Sequence, residues 1–242
     1  MMDGSVLANH TGITSVCDFR SGDMALGGQG APLVPIGDAL LFKEYDACLN
    51  LGGFANLSYE RNNKRIAYDI SPANLILNQL EQNENKEYDK GGGMAKSGNV
   101  IAEIVEKMDA LPFYSAPYPK SLGREWMEKN ITPLVREINT YDALSTCVEH
   151  ISNQIAISIN QITKNGKVLV TGGGAHNTFL IERINQKSNL NLFIPSSDLI
   201  DAKESIVFAF LGKLRLEEEI NTLASVTGAL RSSVSGAVYP GN

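Results

Sequence analysis

The run from Lys167 to Asn177, Lys-Val-Leu-Val-Thr-Gly-Gly-Gly-Ala-His-Asn, constrains the fold of this chain more than any other stretch. Val168, Leu169 and Val170 form a short apolar run, the pattern of a strand buried on both faces. Gly172, Gly173 and Gly174 follow at once, and Phe179, Leu180 and Ile184 then recur at helical spacing with no proline among them. A strand, a glycine turn and a helix bring backbone close to a flat ligand or an anion. Glycine has no Cβ, and a helix start offers unpaired N–H groups. Consecutive glycines also serve tight turns for steric reasons alone. By itself this stretch leaves nucleotide contact and a structural turn equally open.

A buried strand needs neighbours, and 242 residues allow one large domain or two small ones. Hydrophobic residues make up 43% and charged residues 20%, which suits a globular chain. The net charge of −6, with no Lys/Arg cluster, argues against a nucleic-acid partner. Cys17, Cys48 and Cys147 are few, distant and odd in number, a pattern of buried thiols in a reducing compartment. Three histidines and three cysteines offer no zinc spacing, and no metal-ligating residue is assigned. No apolar run reaches membrane length, and Met-Met-Asp-Gly does not open a signal peptide. A cytoplasmic location without membrane association is the expectation.

Ser5 to His10 reads as the end of a helix, Thr11-Gly12 as its break, and Ile13 to Cys17 as a strand. Asp18, Arg20 and Asp23 then stand just past that strand's carboxyl end, where ligands bind in open α/β sheets. Gly27, Gly28 and Gly30 surround Gln29 in a loop suited to close approach. An ordinary Gly/Pro loop held by an Arg–Asp pair accounts for the same residues.

Ala47–Leu51, Phe54–Tyr59 and Arg65–Ile70 read as three successive strands, joined by Gly52-Gly53 and by Asn62-Asn63-Lys64. The Gly52-Gly53 hairpin, with Asn50 and Asn56 at its mouth, suits either phosphate contact or an ordinary surface turn. Asp69 ends the third strand, and Ser71 to Asn74 is expected to open a helix with Pro72 in its first turn. There Asp69 is either functional or a helix cap. Residues 81–93 read as a solvated loop, and Ile101, Ile104, Val105 and Met108 as a core-facing helix. Lys120 and Arg124, near the next helix start, suit an anion or plain solvation. Leu144, Val148, Ile151, Ile155, Ile159 and Ile162 trace one long helical stripe. Leu190 to Ile194 is a further strand. Ala202 to Leu216 is a helix with Ile206, Phe210 and Leu214 inward, and with Glu204 facing the interior. Strands and helices in the order βββαβαβα predict an α/β layered domain with a mixed sheet.

Taken together, seven runs in this order resemble the anhydro-N-acetylmuramic acid kinase family, a branch of the sugar kinase, Hsp70 and actin ATPase fold. They are Asp18 to Asp23, Gly27 to Leu33, Leu49 to Asn56, Asp69 to Asn74, Lys120 to Glu125, Gly172 to Asn177, and Glu204 ahead of Phe208 to Leu211. Each is weak alone, and the ordered set is specific. The resemblance implies an α/β, ribonuclease H-like (actin-like ATPase) lobe with a mixed five-stranded sheet flanked by helices, plus a remnant of a first such lobe. Residues 1–45 are then the remnant and 46–242 the second lobe.

The resemblance further implies an ATP-dependent, Mg²⁺-requiring kinase. Such an enzyme phosphorylates 1,6-anhydro-N-acetylmuramic acid at its 6-position while water opens the anhydro ring. Asp69 matches the family's base for that water, and Glu204 matches a sugar-contacting carboxylate. Asp18, Arg20, Gln29 and Asn74 fall on the substrate side. Gly172, Gly173, Gly174 and Ala175 match the adenosine-side loop, and Gly52 and Gly53 the second phosphate hairpin. Two departures stand out. The family's Asp-Thr-Gly-Pro-Gly-Asn appears as Asp69-Ile-Ser-Pro-Ala-Asn74, and its Gly-Thr-Ser-x-Asp-Gly phosphate loop is absent from the sequence. The expectation is therefore an N-terminally truncated kinase, with apolar surface left open for a homodimer. The alternative is a non-catalytic ligand-binding or partner domain that keeps the fold.

Overall fold

A computed structural model describes residues 3–84 and 88–241. Met1, Met2 and residues 85–87 of the expected 81–93 loop lie outside the described residues, as does Asn242. In chain order the elements begin with α1 (Gly4–Thr11), β1 (Ser15–Cys17), α2 (Ser21–Ala25) and α3 (Pro35–Leu41). The meander β2 (Ala47–Leu51), β3 (Phe54–Arg61) and β4 (Lys64–Pro72) follows, then α4 (Asn74–Glu81), α5 (Gly93–Ser97), α6 (Ala102–Asp109) and α7 (Pro112–Ser115). Next come α8 (Arg124–Asn130), α9 (Thr132–Val135), α10 (Thr140–Asn160), β5 (Lys167–Thr171), α11 (Thr178–Lys187) and β6 (Asn191–Phe193). The chain closes with α12 (Ser197–Leu216), α13 (Ala224–Thr227) and β7 (Ala237–Tyr239).

The described residues form an α/β structure with a mixed five-stranded sheet in the order β4-β3-β2-β5-β6 and helices around it. This is the sheet the sequence predicts. β2 runs antiparallel to β3 and parallel to β5, with Leu49 opposite Leu57 on one side and Val170 on the other. Leu49, Leu51, Leu57, Val168, Leu169 and Val170 are all fully buried, as a central strand pair covered on both faces requires. Asn62 and Asn63 both take positive φ, the backbone of a tight two-residue hairpin turn. The stripe of α10 buries Leu144, Val148, Ile151, Ile155 and Ile159, while Ile162 lies beyond the helix end.

By contacts the chain divides into two compact units. One comprises residues 1–43, 60–67 and 202–242, the other 44–59 and 68–201. That division departs from the expected 1–45 and 46–242 split, because the C-terminal tail packs with the start of the chain. β7 pairs antiparallel with β1, setting Ala237 against Cys17 and Tyr239 against Ser15.

Three local expectations are corrected. The helix expected from Ala202 begins at Ser197, and its buried face carries Lys203, Val207, Leu211 and Leu214. Those positions follow the 3.6-residue repeat. Glu204 sits about 100° around the helix from Lys203 and is exposed, as is Ile206. Glu204 therefore does not face the interior. Pro72 ends β4 rather than lying in a helical first turn, and α4 starts at Asn74 without a side-chain cap. Of the presumed core face in α6, Val105 and Met108 are buried while Ile101 and Ile104 are half-buried.

Candidate functional site

Within the larger unit, residues 44–59 and 68–201, the glycine turn and the β2–β3 hairpin meet. Gly172 has φ 82°, and a Cβ there would lie 2.6 Å from Asn50 Oδ1 and 2.8 Å from the Leu51 backbone. A Cβ at Gly174 would meet the Leu51 Cβ at 2.7 Å. These two glycines are required by the chain's own packing. Gly173 differs: a Cβ there has Asn74 Nδ2 at 3.6 Å as its nearest neighbour, an ordinary contact. The turn between β5 and α11 closes with Ala175 N–H donating to Gly172 O at 2.9 Å. Gly173 to His176 makes a single tight 3₁₀ turn, and α11 begins at Thr178 with Asn177 Oδ1 accepting from Leu180 N–H. The expected open helix start directly after the glycines is thus displaced by one turn and capped by Asn177.

The Gly52-Gly53 hairpin faces the start of α4 with its carbonyls. Gly53 O accepts from Ala73 and Leu75 N–H, and Gly52 O accepts from Asn74 N–H at 3.1 Å. The Asn74 side chain donates to Leu51 O at 3.1 Å. Asn74 therefore ties α4, the hairpin and the glycine turn together. Gly52, Gly53, Asn74 and Gly172 to Ala175, predicted separately from sequence, form one cluster.

Over that cluster opens a cavity of about 570 Å³, a size that suits one small organic ligand. Gly173 and Gly174 form one wall, α4 supplies Asn74, Asn78 and Glu81, and the loop after it supplies Asp89 and Lys90. Glu81 and Asp89 were invisible to sequence reasoning, which took 81–93 for a solvated loop. Both are buried. Asp89 spends its two oxygens on the Met94 and Ala95 N–H groups at 2.9 Å each, starting α5. Glu81 Oε2 is buried without a hydrogen-bond partner among the described residues. Burial pushes its carboxyl up to about 7, opposed by the Asp89 N–H and reinforced by the Asp89 charge.

Asp69 is half-buried near the end of β4. It caps no helix. Its Oδ2 accepts from Leu122 N–H at 2.8 Å, and its own N–H donates to Lys120 O at 3.1 Å. Burial raises its carboxyl above the usual aspartate range, against the lowering effect of the Leu122 N–H. Lys120 is half-buried and its ammonium is engaged by the chain itself. Its ammonium donates to the Phe113 and Tyr114 carbonyls at 3.0 and 3.3 Å and stands 4.6 Å from the Phe113 ring centre. Arg124 pairs with Glu128 on the surface of α8.

The remaining predicted residues lie in the other unit and are described within it. Asp18, with φ 55°, receives the Ser21 hydroxyl and N–H at the start of α2. Arg20 donates to Gly30 O, and exposed Gln29 gives its N–H to Thr227 O. The loop is centred on fully buried Asp23, which accepts from Gly30 N–H at 2.8 Å and Thr227 Oγ1 at 2.7 Å. Glu204 is exposed one position along from Lys203, whose ammonium pairs with buried Asp38 at 2.8 Å. Among the described residues no cluster of three His, Cys, Asp or Glu side chains is placed to hold a metal ion. None of the described helices is long and apolar enough to cross a membrane.

The family model described as anhydro-N-acetylmuramic acid kinase matches residues 1–241. An anhydro-N-acetylmuramic acid kinase of Sulfurovum sp. is 38% identical over 98% of this chain and 68% of its own length. Enzymes of the same name from Aliivibrio fischeri and Saccharophagus degradans are each 35% identical, over 69% and 67% of their lengths. The chain thus spans about two thirds of each relative. With nearly every residue inside the match, the chain belongs to the anhydro-N-acetylmuramic acid kinase family.

Proposed function

We propose that the protein is an ATP-dependent kinase for 1,6-anhydro-N-acetylmuramic acid. It transfers the γ-phosphoryl group to the 6-oxygen while water adds at the anomeric carbon, giving N-acetylmuramic acid 6-phosphate for cell-wall sugar recycling. The observation that carries this reading is Asp69. A half-buried carboxylate with a raised proton affinity, fixed by one backbone N–H, is a better base than a solvated aspartate. In this reading Asp69 takes a proton from the attacking water, and the leaving anhydro oxygen becomes the phosphoryl acceptor. ATP lies with its adenosine in the cavity against Gly172, Gly173, Gly174 and Ala175, and its phosphates toward Gly52 and Gly53. Asn74, Asp18, Arg20, Gln29 and Glu204 are assigned to the sugar side.

The described residues build no ion cage. Mg²⁺ is taken as a partner of the nucleotide's own phosphates, as it commonly is in phosphoryl transfer, and no step is assigned to it. A cytoplasmic location follows from the supply of ATP. A homodimer is part of the proposal, motivated by exposed apolar side chains such as Leu230 and Ile13.

Calorimetric titration with ADP tests the nucleotide half: binding that is lost in Gly173→Val supports it, and equal affinity in the folded variant overturns it. A coupled phosphorylation assay with the anhydro sugar tests the other half. It is run on a protein carrying the Gly-Thr-Ser-x-Asp-Gly loop ahead of this sequence.

A further inference from the structure

A partly buried polar chain takes no part in the chemistry proposed above. His150, on α10, is 2% exposed. Its Nδ1 lies 2.6 Å from Asp109 Oδ1 and its Nε2 lies 2.7 Å from the Tyr114 hydroxyl. Asp109 accepts further hydrogen bonds from Gln154 at 2.8 Å and Asn153 at 3.3 Å. Burial alone would raise the Asp109 carboxyl, yet the bonds from His150, Gln154 and Asn153 outweigh it and hold it below its usual value. Asp109 is thus an acceptor only. The His150 Nδ1–H donates to it, and with a single ring proton Nε2 accepts from the Tyr114 O–H.

One route leads from Tyr114 to Asp69. It runs through Lys120, which donates to the Tyr114 and Phe113 carbonyls while its own carbonyl accepts the Asp69 N–H. Leu122, two residues on, closes the clamp on Asp69 Oδ2. All of these residues belong to one compact unit.

We propose that Asp109, His150 and Tyr114 form an anchor that positions Asp69. It does so by fixing the 120–122 segment through Lys120. The claim rests on the assignment of Asp69 as the base. Tyr114, His150 and Asp109 are positioning residues, since no reacting atom is assigned to them. A short polar chain rooted in α10, the longest helix, fits this purpose, because a base misplaced by about 1 Å loses roughly 10²-fold in rate.

Amide hydrogen exchange at Leu122 in Tyr114→Phe, and in His150→Gln as a second variant, tests the anchor in this chain. Losing one buried hydrogen bond is expected to speed Leu122 exchange by about tenfold, with the Val168, Leu169 and Val170 amides unchanged. Unchanged Leu122 exchange in both folded variants overturns the proposal. In the phosphorylation assay Tyr114→Phe is expected to lower kcat by about 10- to 100-fold at unchanged KM for the sugar. Added to Asp69→Asn, it should lower kcat no further, and a full additional loss overturns the proposal. If Asp69→Asn keeps wild-type turnover, the base assignment fails, and Leu122 exchange still decides whether the anchor holds that segment.

Discussion

The Leu122 N–H donates to the Asp69 carboxylate at 2.8 Å, joining two residues 53 positions apart. That bond excludes the local alternative for Asp69, a cap on α4, whose start lacks a side-chain cap. It also leaves the carboxylate short of the several N–H partners that drive an aspartate's proton affinity down, so burial prevails and raises it.

The glycines of the β5–α11 turn should separate by mutation. Gly173→Val has room against the protein and is expected to fold with wild-type stability while losing ADP binding by calorimetry. Gly174→Ala would drive a Cβ to 2.7 Å from Leu51 Cβ and should cost roughly 1–3 kcal/mol in urea denaturation. Equal stability of the two variants would contradict the distinction drawn between them.

Glu81 makes stability depend on pH in a stated direction. Its folded-state carboxyl titrates near 7, above the value of 4.5 for a solvated glutamate. The folded protein therefore holds the proton more tightly. The stabilisation is fully present below pH 4.5 and is lost as pH rises through 7. The full loss is of the order of 3 kcal/mol if the difference is expressed completely. Urea denaturation at pH 5 and pH 8 should show a smaller fall in Glu81→Gln than in wild type. Parallel falls would contradict the burial argument.

The phase of α12 is tested by two neighbours. Lys203→Met removes the 2.8 Å ion pair of buried Asp38, leaving it the Arg65 contact at 3.9 Å, and should cost about 3–5 kcal/mol. Exposed Glu204→Ala should stay within about 0.5 kcal/mol of wild type. Thermal denaturation of the pair reads this directly, and the reverse order would return Glu204 to the interior.

The pattern of these residues explains what the sequence made legible. β2, β3 and β4 announce themselves because their apolar alternation is broken at Gly52-Gly53 and Asn62-Asn63, where local backbone chemistry demands a turn. β5 and the glycines carry their own signal too. The face of α12 does not, since Ile206 and Val207 are equally apolar and only packing selects Val207 for the interior. Nor does β7: Ala237 to Tyr239 pair with Cys17 to Ser15 through tertiary contacts that leave no local trace. Asp89 looks solvated in sequence and becomes buried because the first N–H groups of α5 need an acceptor. For the same reason Asp69 was recognisable as a strand-end carboxylate, while its partner Leu122 was not.

Turnover of the anhydro sugar by Asp69→Asn tests the central claim most directly. Asparagine can still accept the Leu122 N–H through its amide oxygen, so the variant should melt with wild type. An amide cannot take a proton from water, so kcat should fall by about 10²–10⁴. In wild type the rate should also fall on acidification at a pH above that expected for a solvated aspartate. A folded Asp69→Asn protein that phosphorylates 1,6-anhydro-N-acetylmuramic acid at the wild-type rate would contradict the account.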